Sequence, residues 1–207
     1  VRFSDTSGVI RFTNSDQDLL NDFENLTKKI FGCKVSNKTN KNNCWDYRWF
    51  SVDIVRILQK IFPNITKKSE GMGIPKLICK SPNYVIKDFL KSIFDCEGHI
   101  RKGRREIEFS SKSKELIYDI KYILLRFGIV SQVSSSMKCA TNTLAKIKRR
   151  YYRIRISGED VIKYFKEIGF VSTKKNEQLN KEIQKNLKIN TNLNVVPELK
   201  ELLSILR

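Results

Sequence analysis

The stretch FLKSIFDCEGHI, residues 89–100, closes an apolar run on two acids, a glycine and the only histidine of the chain. Asp95 and Glu97 fall where a helix would end. Carboxylates are electrostatically unwelcome there, because the last carbonyls of a helix carry partial negative charge, so a positive partner is expected. A Ser-His-Asp triad, a Cys-His pair or a multi-histidine metal centre would each have to be built around His99. Carboxylates, lysines and bound metal are left as the groups for catalysis. Within the run, Leu90, Ile93 and Phe94 can line an apolar side, while Ser92 and Cys96, four residues apart, share one face. Small residues at that spacing let a second helix approach closely, and Glu97 then projects from the bottom of the contact. His99 falls just past the turn, as a strand residue.

The elements that must hold this helix come in two copies. VIRFTNSDQDLLNDFENLTKKIFGCKVS (9–36) aligns with EIEFSSKSKELIYDIKYILLRFGIVSQVS (106–134), and YRWFSVDIVRILQKI (47–61) with YRIRISGEDVIKYFKEI (152–168). Each copy predicts a short alternating strand, then a helix opened by a polar cap (Asn14 or Ser15; Ser111 or Ser113) and closed by a glycine. A polar, lysine-rich connection follows, then an alternating strand and a short amphipathic helix. In the second of these strands Tyr152, Ile154 and Ile156 lie on one side, Arg153 and Arg155 on the other. VRFSDTSGVIRF predicts a hairpin turning at Asp5 to Gly8. The apolar helix, started by Ser81-Pro82 and stopped by Gly98, precedes only the second copy, since counting back 97 residues from Glu97 leads to a position before Val1. The chain divides into a first repeat (1–70), a connector (71–82), a second repeat (83–170) and a C-terminal helical extension (171–207).

Charge limits the partners. Against 22 acidic residues stand 40 basic ones, a formal net charge of +18, which points to a polyanion. Between Arg101 and Arg155 lie 15 Lys/Arg and 4 Asp/Glu, a local +11, interleaved with aromatics, so this is not a disordered basic tail. The five cysteines are scattered with no C-x-x-C pair, which argues against a disulfide framework or zinc site and for a reducing compartment. No apolar run approaches a membrane span and no signal peptide is visible, so a cytoplasmic protein without membrane contact is expected.

Leu90 to Gly98 resembles the nine-residue LAGLIDADG motif, with Ser92 replacing the usual glycine, Cys96 an alanine and Glu97 the metal-binding aspartate. GIPKLI, FTNSDQDLL, FSSKSKELI, YYRIRISGEDVIKYFKEIGF and NTNLNVVPELKELL add to the likeness, and the whole chain resembles the LAGLIDADG homing endonucleases of archaeal inteins. The resemblance implies an α+β fold of αββαββα-type units related by a pseudo-twofold, with two antiparallel four-stranded sheets forming a saddle on double-stranded DNA. It implies a site-specific endonuclease using Mg²⁺ or Mn²⁺, held by Glu97, and a monomer (a pseudo-dimer) when the first helix is present. The ion would be the positive charge that the acidic helix end lacks. Asp95 is the less directly metal-bound acid of the motif. The lysine that many inteins of the family carry just before the Ile-Pro of the connector is absent from GMGIP. The nearest substitutes are Lys67 and Lys68, matched by Lys174 and Lys175 in the second copy, with Lys68 and Lys175 as the catalytic candidates. Ser92, Cys96 and Gly98 would form the helix interface. Arg2, Arg11, Arg48, Arg101, Arg104, Arg153 and Arg155 would face DNA, with Lys138, Lys146, Lys148, Arg149 and Arg150, in the long connection, as phosphate clamps. Glu106 and Glu108 share that outer side and are expected to pair with arginines.

This chain departs from the pattern in carrying one motif carboxylate, so it is expected to bind DNA better than it cuts. No splicing nucleophile stands at residue 1 and no terminal His-Asn pair is present, so self-splicing is not expected. The alternative is a non-cutting nucleic-acid binder of the same fold, a maturase or a regulator.

Overall fold

A computed structural model describes residues 8–41, 43–63, 71–139 and 148–185. In chain order the first repeat contains β1 (Val9–Asn14), α1 (Gln17–Phe31), β2 (Asn37–Lys41), β3 (Cys44–Phe50) and α2 (Val52–Ile61). The connector carries one short turn of helix, α3 (Lys76–Cys79), and leads into α4 (Asn83–Glu97). The second repeat continues with β4 (Gly98–Ile100), β5 (Glu106–Ser111), α5 (Lys114–Leu125), β6 (Ser131–Cys139), β7 (Lys148–Ser157) and α6 (Glu159–Glu167), followed by α7 (Thr173–Gln184).

The repeat holds down to single hydrogen bonds. Asn14 Oδ1 accepts from the Asp16 amide at 2.9 Å, and Asp16 caps α1 by accepting from the Asp18 amide at 3.0 Å. In the same positions of the second copy, Ser111 Oγ accepts from the Ser113 amide at 3.1 Å and Ser113 Oγ caps α5 by accepting from Leu116 at 3.1 Å. The α1 cap is thus Asp16, one residue past the pair the sequence offered. Asn14 makes the side-chain turn that presents it. Both helices run out at glycines in the left-handed region, Gly32 at φ 65° and Gly128 at φ 64°.

The polar stretch expected as a connection contains a strand in each repeat, β2 and β6. Neither reads as a strand because each is a sheet edge with no apolar alternation to betray it. Both sheets are antiparallel, ordered β1-β3-β2 and β4-β5-β7-β6. The first therefore has three described strands rather than the expected four. The position matching β4 falls on residues 1–3, which with Arg2 and the turn at Asp5 lie outside the described residues.

One face of each sheet is apolar and carries the helices. Ile107, Phe109, Ile154 and Ile156 pack with Ile86, Leu90 and Phe94 of α4, Ile117, Ile120 and Leu124 of α5, and Tyr164 of α6 into one large core. The first repeat gathers Ile10, Trp49 and Val55 in a small buried cluster, with Phe23, Phe31 and Leu58 half-buried around them, and buries Leu19, Leu20 and Tyr47 outside that cluster. Its helices leave Ile30 62% and Ile57 55% exposed. The repeats are joined through the start of α7: Ser172 Oγ donates to Asp16 Oδ2 at 2.5 Å and the Thr173 amide to Asp18 Oδ2 at 2.7 Å. No described helix is long and apolar enough to cross a membrane.

Candidate metal and nucleic-acid site

Helix α4 is anchored by Ile86, Leu90 and Phe94, none of which is exposed, so its last turn sits at a fixed place in the core. It passes directly into β4 with no intervening residue. The glycine that allows this is not in a left-handed turn. Gly98 is extended, at φ −75° and ψ 142°, and a Cβ there would stand 2.4 Å from the Phe94 carbonyl oxygen. Any side chain would push the strand off the helix end. Ser92, Cys96 and Glu97 are exposed on the outer side of α4.

The positive partner of the acidic helix end is a lysine. Lys175 Nζ, from the first turn of α7, donates to the carbonyls of Phe94 (3.0 Å), Asp95 (2.6 Å) and Gly98 (2.8 Å). An ammonium has three protons, and the three carbonyls match them. The expectation that a bound ion must supply this charge is thereby corrected, because the chain supplies it from 77 residues beyond the glycine. Burial pulls the Lys175 ammonium below its ordinary pKa, an effect countered by Asp95, Cys96, Asp16 and Glu97 nearby.

Asp95 is turned to a different task from Glu97. It is 3% exposed, and its carboxylate accepts from the amides of Val171 (2.7 Å) and Ser172 (3.3 Å) at the approach to α7. Burial raises its pKa, partly offset by those two amides and by Lys175. Asp95 thus fixes the turn that delivers Lys175, and Lys175 in turn closes the helix that carries Asp95. Among the described residues nothing hydrogen-bonds or ion-pairs with the Glu97 carboxylate, which stays open to solvent. No group of three or more His, Cys, Asp or Glu suited to hold a metal occurs among the described residues. The donor set at this helix end is a single hard oxygen ligand, which fits Mg²⁺ or Mn²⁺ completed by phosphate and water and fits no soft or multi-histidine site.

The second face of each sheet is polar and charged. On the first, Asp46 lies under two arginines: Arg11 Nε donates to Oδ1 at 2.7 Å, Arg48 Nε to Oδ2 at 2.8 Å, and Thr13 Oγ1 adds a bond at 3.2 Å. On the second, Glu108 Oε1 faces Arg153 (3.2 Å), Arg155 (3.3 Å) and Arg101 (3.6 Å). Glu106 Oε1 faces Arg101 (3.1 Å) and Arg155 (3.2 Å). The expected pairing of both glutamates is present. Burial alone would raise the Asp46 and Glu108 carboxyls, but the arginines around them hold both below the usual carboxylate range. His99 is exposed on β4, directly across from Glu108, so it shares this outer face, which the motif alone did not reveal.

The remaining cations sit differently. Lys138 is on β6, and Lys148, Arg149 and Arg150 are the first residues of β7, paired across the strands. They are strand residues rather than loop residues, because β6 and β7 extend well beyond the core as a polar ribbon. Lys148, Arg149 and Arg150 are exposed, as is Arg104 in the β4–β5 turn. Lys67, Lys68 and Lys146 lie outside the described residues. Cys33, Cys44, Cys79 and Cys96 are free thiols.

Residues 85–169, from α4 to the end of α6, match the model of the LAGLIDADG-like domain. The chain is 31% identical over 189 residues to the probable translation initiation factor IF-2 of Methanocaldococcus jannaschii, covering 87% of this chain and 15% of that protein. It is 32% identical over 203 residues to the replication factor C small subunit of the same organism, covering 97% of this chain and 10% of that protein. The chain thus spans a small part of the curated relatives it matches. Among solved structures, I-DmoI in complex with DNA and Mn superposes with a TM-score of 0.54 at 13% identity, over 79% of this chain and 81% of that one. Full-length DUF199/WhiA from Thermatoga maritima superposes with a TM-score of 0.54 at 13% identity, over 99% of this chain and 60% of that one. The fold is that of the LAGLIDADG homing endonucleases, α+β with two antiparallel sheets.

Proposed function

We propose that this chain is a double-stranded DNA-binding endonuclease unit of the intein-borne homing type, contributing one metal-binding carboxylate, Glu97. The observation that carries the reading is an exposed carboxylate, without a partner among the described residues, at the tip of a core-anchored helix whose end is already neutralised by Lys175. A cation-binding acid held this way needs no counter-charge from its own chain and is free for a ligand. The flanking sheets offer polar, arginine-bearing faces, and a formal charge of +18 favours a phosphate polymer. Two relatives with unrelated names, an initiation factor and a replication factor subunit, share this same stretch as a minor part of their length, which supports an inserted, mobile element.

In this reading Glu97 would hold Mg²⁺ or Mn²⁺ at a phosphodiester. The bound ion would supply activation of water and charge neutralisation at the leaving oxygen. The chain's own residues do the rest. Lys175 and Asp95 keep the last turn of α4 in place, and Gly98 lets the strand leave without moving Glu97. Exposed Lys148, Arg149 and Arg150 bind the phosphate backbone, and the sheet faces lie against the grooves. Ser92 and Cys96 leave α4 an exposed small-residue face for close helix contact.

The second reading is a non-cutting DNA binder, favoured by the single acid at the site and by the superposition on DUF199/WhiA over 99% of the chain. A plasmid library carrying random inserts, incubated with the chain and Mg²⁺ or Mn²⁺, separates the two. The endonuclease reading expects cleavage that chelator abolishes and that Glu97→Gln removes while duplex binding persists. Binding without any metal-dependent strand scission would overturn it in favour of the regulator-type reading, and scission untouched by Glu97→Gln would overturn the assignment of Glu97 as the metal-binding acid.

A further inference from the structure

Two classes of cation share this surface, and only one is free. Asp46, Glu106 and Glu108 have side chains only 7%, 8% and 13% exposed, while the arginines over them range from 28% to 37%. The acids form a floor and the guanidinium groups lie above it, part-open to solvent. Each floor is nearly neutralised: two arginines over Asp46, and three over the two glutamates, leave one net positive charge apiece. Lys148, Arg149 and Arg150 have no acidic partner among the described residues.

The two floors are built from different residues at matching places. Arg11 of β1 corresponds to Glu108 of β5 in the repeat, and by strand register Arg48 of β3 corresponds to Arg155 of β7 and Asp46 to Arg153. In the first sheet the acid stands on β3 and reaches Arg11 across the strands. In the second the acid stands on β5 and reaches arginines on β7. Exchanging which strand carries the acid while preserving arginines over a sunken carboxylate is not what a solvated charged face requires. Arginine presents a planar fork that matches the O6/N7 edge of guanine, whereas a phosphate accepts any cation. A guanidinium held by a carboxylate keeps one rotamer, so less side-chain freedom is lost on binding, and its net attraction for phosphate is reduced.

We propose that Asp46 and the Glu106–Glu108 pair are specificity-determining residues, holding Arg11 and Arg48, and Arg101, Arg153 and Arg155, for guanine edges in the major groove and withholding them from the phosphate backbone. This rests on the DNA-binding reading above. The exposed cations at the start of β7 then supply sequence-independent affinity, and the two floors supply discrimination between duplexes.

The test uses the full chain, a duplex selected by it from a randomised pool, and a scrambled duplex of the same composition, with affinities measured across a salt series. Asp46→Asn and Glu108→Gln should tighten binding to the scrambled duplex and steepen its salt slope by about one released counterion. The ratio of selected to scrambled affinity should fall about tenfold or more. Arg48→Lys and Arg153→Lys, which remove the fork, keep the charge and leave the carboxylates in place, should lower the ratio while leaving scrambled binding unchanged. Equal losses on both duplexes, with the ratio intact in the folded variants, would show the ion pairs to be structural and overturn the proposal. A chain that binds no duplex even at low salt would overturn the DNA reading itself, and this inference with it.

Discussion

The two repeats start from matching sequence and bury very different amounts of it. The second stacks α4, α5, α6 and a four-stranded sheet around one large core, with one face of its motif helix inside. The first has three described strands, a buried cluster of three residues with Leu19, Leu20 and Tyr47 buried outside it, and helices that leave Ile30 and Ile57 open. Among the described residues, what separates them is α4 packed against the second sheet, since the caps of α1 and α5, the glycines that follow them and the antiparallel pairing are alike. Local signals therefore specify the elements, whereas the central helix decides how much core they enclose. The sunken carboxylates over which the arginines lie are common to both, so the charged faces do not depend on the depth of the core beneath.

The sharpest way to break this comparison is to hollow each core in turn. Phe94→Ala, which empties the contact with Phe109 and Tyr164 at ring distances of 5.5 and 5.2 Å, is expected to cost about 3–5 kcal/mol and lower the melting transition of the whole chain. Trp49→Ala in the first repeat should release that repeat alone, seen as amide exchange that accelerates in β1 and β3 while β5 and β7 stay protected. A single shared transition for both variants would mean that the repeats do not differ in the way described.

Next is the helix end that only the second repeat possesses among the described residues. Lys175→Met strands three carbonyl acceptors and is expected to cost about 2–3 kcal/mol by chemical denaturation. Lys175→Arg should not restore the loss, because a planar fork cannot meet three converging carbonyls. Gly98→Ala meets the Phe94 carbonyl and should destabilise by about 1–3 kcal/mol, while Gly71→Ala, with open space around it, should be neutral.

The caps sharpen the likeness instead. The caps lost in Asp16→Ala and Ser113→Ala should each cost about 1 kcal/mol in thermal melts, as equivalent caps do. Both variants should exceed the cost of a cap alone, because Asp16→Ala also removes the acceptor of the Ser172 hydroxyl and Ser113→Ala the donor to the Met72 carbonyl.

The smallest expected effect is on acid stability. Asp46 and Glu108 titrate below their ordinary values in the folded chain, so the stability they contribute is present above about pH 4 and lost as the pH falls through the folded values. Asp95, raised by burial, works in the opposite sense. The melting temperature should decline on acidification, and Asp46→Asn should make that decline shallower. An unchanged pH profile in the variant would show that Asp46 gains nothing from its arginines.

Much of this was legible in the chain because it repeats and alternates. The strand face of Tyr152, Ile154 and Ile156, the glycine stops and the motif helix follow from period and spacing alone. β2 and β6 were not legible, since NKTNK and SQVSSSMKC carry no apolar alternation at a sheet edge. The lysine at the helix end was recognised as a candidate but not its partners, because a bond from residue 175 to residues 94, 95 and 98 has no local signal. Nor did spacing reveal that Asp95 caps the approach to α7, or that Asp16 and Asp18 tie the first repeat to that helix.

In the proposed endonuclease, the seamless passage from α4 into β4 would leave no slack between reading and cutting. The backbone that bears the acid is continuous with the strand lying against Glu108 and its arginines, so the two cannot be displaced independently. Metal ligation tolerates about 0.2 Å, while one step along a strand is about 3.4 Å. A duplex that seats even slightly askew on the second sheet would thus carry its phosphodiester away from the carboxylate, making fidelity a matter of leverage as well as affinity.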